Sequence, residues 1–209
     1  IMVDDAGRLG DANPALRQDA INRHRPWLDI AAALGCHSIR INARSEGSAE
    51  EQTKLMADGL QRLGDEAATR GLNVIVENHG GFSSQGAWVA NLMRTLNHAN
   101  VGTLPDFGNW YPADEYGGPT PAGKAGPYYD RYQGVDETMP FARGLSAKSY
   151  AFDAQGNETS TDFGRMMAIA VKHGFSGHVG IEYEGSAHSE HDGILATKQL
   201  LEGVRASMG

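Results

Sequence analysis

Val74-Ile75-Val76-Glu77-Asn78-His79-Gly80-Gly81 reads as a buried strand running straight into a glycine-rich loop. Three β-branched residues in a row suit a strand covered on both faces, as in a parallel sheet. The strand ends in a carboxylate, an amide and an imidazole, groups that are costly to bury unless paired or bound to a metal. Two glycines then let the backbone turn sharply and leave room for a ligand. In β/α proteins, sites are built at the carboxyl ends of strands. Glu77 as a cap for the following helix, with His79 bonded to a carbonyl, is the plainer alternative for these residues alone.

The same pattern recurs on both sides. Further strands are expected at Ile1–Val3, His37–Asn42, Val101–Asp106, Gly144–Lys148 and His178–Tyr183. Between them, apolar residues at three- and four-residue spacing predict helices. These run over Ala15–Leu34, Ala49–Arg70, Gly86–His98, Ser160–His173 (capped by Ser160) and roughly Asp192–Ala206. Leu34-Gly35, Arg70-Gly71 and His173-Gly174 have the expected C-terminal glycine.

Alternating strands and helices point to a parallel α/β architecture, either doubly wound or a (β/α)8 TIM barrel. The polar residues favour the barrel. Asn42, Glu77, Asp106, Lys148 and Glu182 fall at or near the ends of five different strands, and a barrel gathers groups from several strands around one mouth. No GxGxxG follows the first strand, so a dinucleotide fold lacks support. Six strands are expected where a barrel has eight. The reading is therefore a single domain over residues 1–209, an incomplete barrel with about six of eight β/α units. The two N-terminal units, about 60–90 residues by this spacing, are expected to be absent. Exposed sheet edges would then favour poor solubility or homo-oligomeric association.

Composition sets bounds on partners. The 209 residues are 40% hydrophobic and 21% charged, ordinary for one globular domain. The net charge of −8, without clustered basic residues, argues against nucleic acid as a partner. No apolar run is long enough for a membrane span. The single cysteine, Cys36, is read as a small core residue. A cytoplasmic protein is the expectation.

Glu77, Asp106 and Glu182 lie on three strands, each just before a polar or glycine-rich turn. Converging at a barrel mouth, three carboxylates would repel strongly without a cation. Such a donor set suits one divalent ion of the Mn²⁺, Mg²⁺ or Co²⁺ type, with Zn²⁺ as a further option. Arg40 is read either as holding a substrate phosphate or carboxylate, or as a structural ion-pair partner. Phe107–Glu137 is expected to be a long connection without regular structure. Its aromatic residues, Trp110 among them, suit either sugar recognition or plain packing.

Four segments resemble the xylose isomerase-like TIM-barrel superfamily, the sugar phosphate isomerase/epimerase group. They are Val74–Gly81, Leu104-Pro105-Asp106-Phe107-Gly108-Asn109, Ser146–Asp153 and Gly180-Ile181-Glu182-Tyr183-Glu184-Gly185. The resemblance covers nearly the whole chain, with Ile1 at the end of the third barrel strand. It implies that Glu77, Asp106 and Glu182 bind one divalent metal, and that Glu77 and Glu182 are also the catalytic acid and base. The family's histidine on the seventh strand has no counterpart here. That strand carries Ser146 and Lys148, so a fourth ligand falls to His79, Asn109 or water. Lys148 is open to a role as proton donor or as a holder of a substrate oxygen. Glu184 rivals Glu182, which sits better at its strand end.

The implied function is a metal-dependent sugar isomerase or epimerase that moves a proton through an enediolate. His79, Asn109, Arg40 and Trp110 are the expected substrate contacts, and a small carbohydrate is the expected partner. Two alternatives stand beside it: a lyase or dehydratase acting on a keto-sugar or keto-glycoside, and a non-catalytic sugar-binding barrel. An endonuclease would need more histidines at strand ends and a basic face.

Overall fold

The computed structural model describes residues 1–112 and 128–208. Strands and helices alternate. Helix α1 (Pro14–Ala33) leads to β1 (Ser38–Asn42), α2 (Ala49–Ala68), β2 (Asn73–Glu77), α3 (Gly86–Leu96) and β3 (Val101–Leu104). Then come α4 (Arg131–Thr138), β4 (Leu145–Ser149), α5 (Phe163–Lys172), β5 (Val179–Tyr183) and α6 (Glu190–Met208).

Among the described residues the paired strands run parallel. β1, β2 and β3 form one ladder, with Asn42 opposite Glu77 and Glu77 opposite Leu104. β4 and β5 form another, with Lys148 opposite Glu182. Bridges between Thr103 and Ala142 and between Asp106 and Ser146 join the two ladders. The N-terminal strand is reduced to one bridge, Met2 to Arg40, flanked by Val3 N–H to the Arg40 carbonyl (2.9 Å) and Arg40 N–H to the Ile1 carbonyl (2.8 Å). This gives an incomplete barrel of parallel strands. The curl is strong enough that the rings of His37 and His178, just before β1 and β5, stack at 5.6 Å.

The core follows the sequence pattern. Val74 and Val76 are fully buried, each worth about 1.5–3 kcal/mol over exposure. They pack with Leu60, Leu63 and Leu92 from α2 and α3. A second cluster joins Phe107, Trp110 and Val135 to Leu145, Phe163 and Met166. β5 is only partly covered. Among the described residues no helix is long and apolar enough to cross a membrane.

Two expectations are corrected. The 107–137 connection contains a helix, α4, capped by Asp130, which accepts from Gln133 N–H at 2.8 Å. Glycine and aromatic composition hid its short apolar face, where Gly134 lies under Trp110. A Cβ at Gly134 would meet that ring at 2.2 Å. Tyr116 and the glycines and prolines of 117–127 lie outside the described residues. At α5 the cap is Asp162, which accepts from Arg165 N–H at 2.9 Å. Ser160 instead joins a turn gathered by Glu158, which accepts from the backbone N–H groups of Ser160 (2.7 Å) and Thr161.

Candidate active site

Local sequence places each acid. Glu77 is the last residue of β2, where the extended chain gives way to Gly80 and Gly81 with φ of 85° and 55°. That left-handed backbone favours glycine. Asp106 follows β3 and is fixed by its own turn, with Oδ1 accepting from Gly108 N–H (2.8 Å) and Asn109 N–H (2.9 Å). Glu182 lies within β5, where Ser146 Oγ donates to its Oε2 at 2.8 Å.

The three acids meet. One oxygen from each of Glu77, Asp106 and Glu182 lies within 4.8 Å of the others. Glu77 and Asp106 are fully buried, and Glu182 is half-buried. Asp106 Oδ2 is buried with no hydrogen-bond partner among the described residues. Three hard oxygen donors with a spare buried lone pair fit a hard divalent cation.

Two basic side chains offset this charge. Arg40 Nε lies 2.7 Å from Glu77 Oε2, a charge contact without hydrogen-bond alignment. Its Nη1 reaches Asp4 at 2.5 Å. Arg40 thus pairs with two carboxylates, those of Glu77 and Asp4. Lys148 Nζ lies 3.2 Å from Glu182 and 3.1 Å from Glu184.

Titration reflects the crowding. Burial, then the neighbouring Asp106, pushes the Glu77 carboxyl up to about 8 against the pull of Arg40. Burial also raises Asp106 to about 6, although Lys148 opposes it. Glu182 moves the other way. Burial would raise it, but Lys148 and the hydrogen bond from Ser146 hold it below the ordinary glutamate value. Lys148 is itself raised: burial works against the ammonium, and Asp106, Glu182 and Glu184 outweigh it.

The expected contact residues separate into three groups. His79 is half-buried and lines a cavity of about 350 Å³ with Arg8, Ser45, Gln52, Phe82 and Gln85. Burial, then Arg40 and Lys148, lowers its imidazole to about 4, so it is neutral at pH 7. Asn109 is buried between Glu77 and Lys148, its Nδ2 donating to Glu77 at 3.4 Å and its Oδ1 accepting from Lys148 at 3.2 Å. Trp110 is 1% exposed, belongs to the second core cluster and stacks on Tyr129.

Two members of the site, Asn78 and Tyr150, had no role assigned from the sequence. Asn78 ties β2 to the loop after β3, accepting from Asp106 N–H at 2.7 Å and donating to the Asp106 carbonyl at 3.1 Å. Tyr150 has a buried hydroxyl with no hydrogen-bond partner among the described residues. Burial, then Asp106, raises that phenol. Strand alternation from Lys148 was the available signal for Tyr150.

Residues 4–206 match the model of the family described as xylose isomerase-like TIM barrel. No curated protein matches the sequence. Solved structures of similar fold include a xylose isomerase-like TIM barrel protein from Mycobacterium smegmatis in complex with magnesium. It has a TM-score of 0.69 at 14% identity, over 100% of this chain and 74% of that one. The 3-keto-D-glucoside 4-epimerase from E. coli gives 0.70 at 16%, over 94% and 75%. The IOLI protein with a bound zinc atom gives 0.70 at 13%, over 98% and 75%.

Proposed function

The chain belongs to the xylose isomerase-like TIM-barrel family, and from that premise we propose that it is a divalent-metal-dependent isomerase or epimerase of a sugar or sugar derivative. The convergence of Glu77, Asp106 and Glu182 on one centre carries this reading. A divalent ion held by these carboxylates supplies Lewis acidity toward a substrate carbonyl oxygen. Glu182, kept ionised by Lys148 and Ser146, takes the proton from the carbon beside the carbonyl. Glu77 returns a proton to the adjacent carbon or to the opposite face. Arg40 and Asn109 hold Glu77 in place. His79 and the polar lining of the adjoining cavity suit a polyhydroxylated ligand. The E. coli neighbour, a 3-keto-D-glucoside 4-epimerase, supports this substrate class.

Elimination from a keto-sugar begins with the same proton removal. The buried Tyr150 hydroxyl beside the Lys148 stem favours this second reading, because together they offer donors to a departing oxygen. Incubation with Mn²⁺ and a panel of keto-sugars in D₂O tests both. Deuterium uptake at the carbon beside the carbonyl, lost on chelation and in Glu182→Gln, is expected. The products separate epimerisation from elimination. Absence of exchange on every keto-sugar with metal bound would refute the reading.

A further inference from the structure

Lys148 stands opposite Glu182 in the β4–β5 ladder, beside the three carboxylates. Its side chain is 1% exposed. Nζ faces three oxygens, those of Glu184 (3.1 Å), Glu182 (3.2 Å) and Asn109 (3.2 Å). The stem is pinned as well, since a Cβ at Gly108 would lie 2.9 Å from Lys148 Cδ and 3.0 Å from Cγ. The ammonium therefore has little freedom to leave. Of its two carboxylate partners, Glu182 belongs to the metal-competent group and Glu184 does not.

We propose that Lys148 is a built-in counter-cation that competes with the divalent ion for Glu182, with Glu184 as its alternative seat, so that the protein holds its metal loosely and exchangeably. This rests on the reading that the three carboxylates bind a divalent ion. An imidazole at this position would add a neutral ligand, whereas an ammonium adds a positive charge a few ångströms from a dication. When Glu182 turns to the ion, Glu184 and Asn109 keep Lys148 satisfied without moving its stem. The site can then take a metal despite the lysine, at reduced affinity. The ammonium released from Glu182 is left as a hydrogen-bond donor beside the substrate oxygens.

Titration of the full chain with Mn²⁺ by calorimetry tests this without any activity. Lys148→Met, which removes a positive charge a few ångströms from the dication, is expected to tighten binding about 10-fold or more. A damaged fold would weaken binding, so a gain cannot come from misfolding. Glu184→Gln, at a partly exposed side chain, leaves Glu182 as the one carboxylate at ion-pair distance from Lys148 among the described residues. It is expected to weaken Mn²⁺ binding by about 10-fold. Unchanged or weaker binding in a folded Lys148→Met, or unchanged binding in Glu184→Gln, would overturn the proposal. If Lys148→Met does not fold, Glu184→Gln decides alone. Failure of every form, wild type included, to bind Mn²⁺ is a different result. It removes the metal reading itself, and this inference with it.

Discussion

Asn78 and Asp106 clasp each other by reciprocal hydrogen bonds, Asp106 N–H to Asn78 Oδ1 at 2.7 Å and Asn78 Nδ2 to the Asp106 carbonyl at 3.1 Å. The same amide nitrogen reaches the Asn109 carbonyl at 3.3 Å. The residue next to Glu77 thus positions the backbone that carries Asp106. Two acids from different strands meet through a neutral side chain.

Asn78→Ala leaves a buried N–H and carbonyl of Asp106 without these partners. Each such orphan costs about 1–3 kcal/mol. A loss of about 2–4 kcal/mol in urea unfolding is expected, with weaker Mn²⁺ binding in the fraction that remains folded. Unchanged stability would show that the clasp contributes nothing.

Glu182→Gln keeps an oxygen of similar shape and removes the base. Turnover on the substrate found by the exchange assay should fall at least about 10²-fold, with metal binding only weakened. Asp106→Ala should lower metal occupancy first, with activity partly recovered at high metal concentration. Steady-state kinetics across a metal titration separates the two. Wild-type turnover in Glu182→Gln would remove the two-glutamate mechanism.

Metal-free protein should lose stability as pH rises. Glu77 and Asp106 bind their protons more tightly folded than unfolded, at about 8 against 4.5 and about 6 against 3.8. Their stabilising contribution is complete below the unfolded values and disappears as pH climbs through the folded ones. His79, lowered to about 4, works the other way up to its unfolded value of 6.5, so urea midpoints should decline between about pH 6.5 and 8, where Glu77 loses its proton. Glu77→Gln should flatten that decline. Mn²⁺ should abolish it, because a bound dication favours the ionised carboxylates. A midpoint that rises over this range would contradict the site's electrostatics.

Gly134→Ala tests the connection that positions the second core cluster. The added Cβ would sit 2.2 Å from the Trp110 ring, which has packed neighbours all round. Overpacking of this kind costs about 1–3 kcal/mol. The loss should appear in thermal unfolding with a shift in tryptophan emission. Wild-type values in both would mean that Trp110 is free to move.

Local chemistry carried much of this protein into view. Val74-Ile75-Val76 announces a doubly covered strand because β-branched side chains suit that environment wherever they fall. Glu77, Asp106 and Glu182 stand out because a charge at the end of an apolar run has few places to go. Strand alternation alone put Ser146 and Lys148 on one face. Such rules act over a few residues, so the chain displays them before it folds.

Tertiary structure decided what each charge is paired with. Arg40 reaches Asp4 across 36 residues, Asn78 reaches Asp106 across 28, and Lys148 finds Asn109 across 39. No spacing rule links such positions. The pairing depends on which strands the curled sheet brings side by side and on which buried groups would otherwise lack partners. Helix α4 and the Asp162 cap belong to the same class: a short apolar face forms only where Trp110 covers Gly134, and Glu158 takes Ser160 away from the helix. Sequence determined which groups must come out of water together, and packing determined which oxygen faces which nitrogen, because hydrogen bonds and ion pairs are settled by tenths of an ångström that no local period encodes.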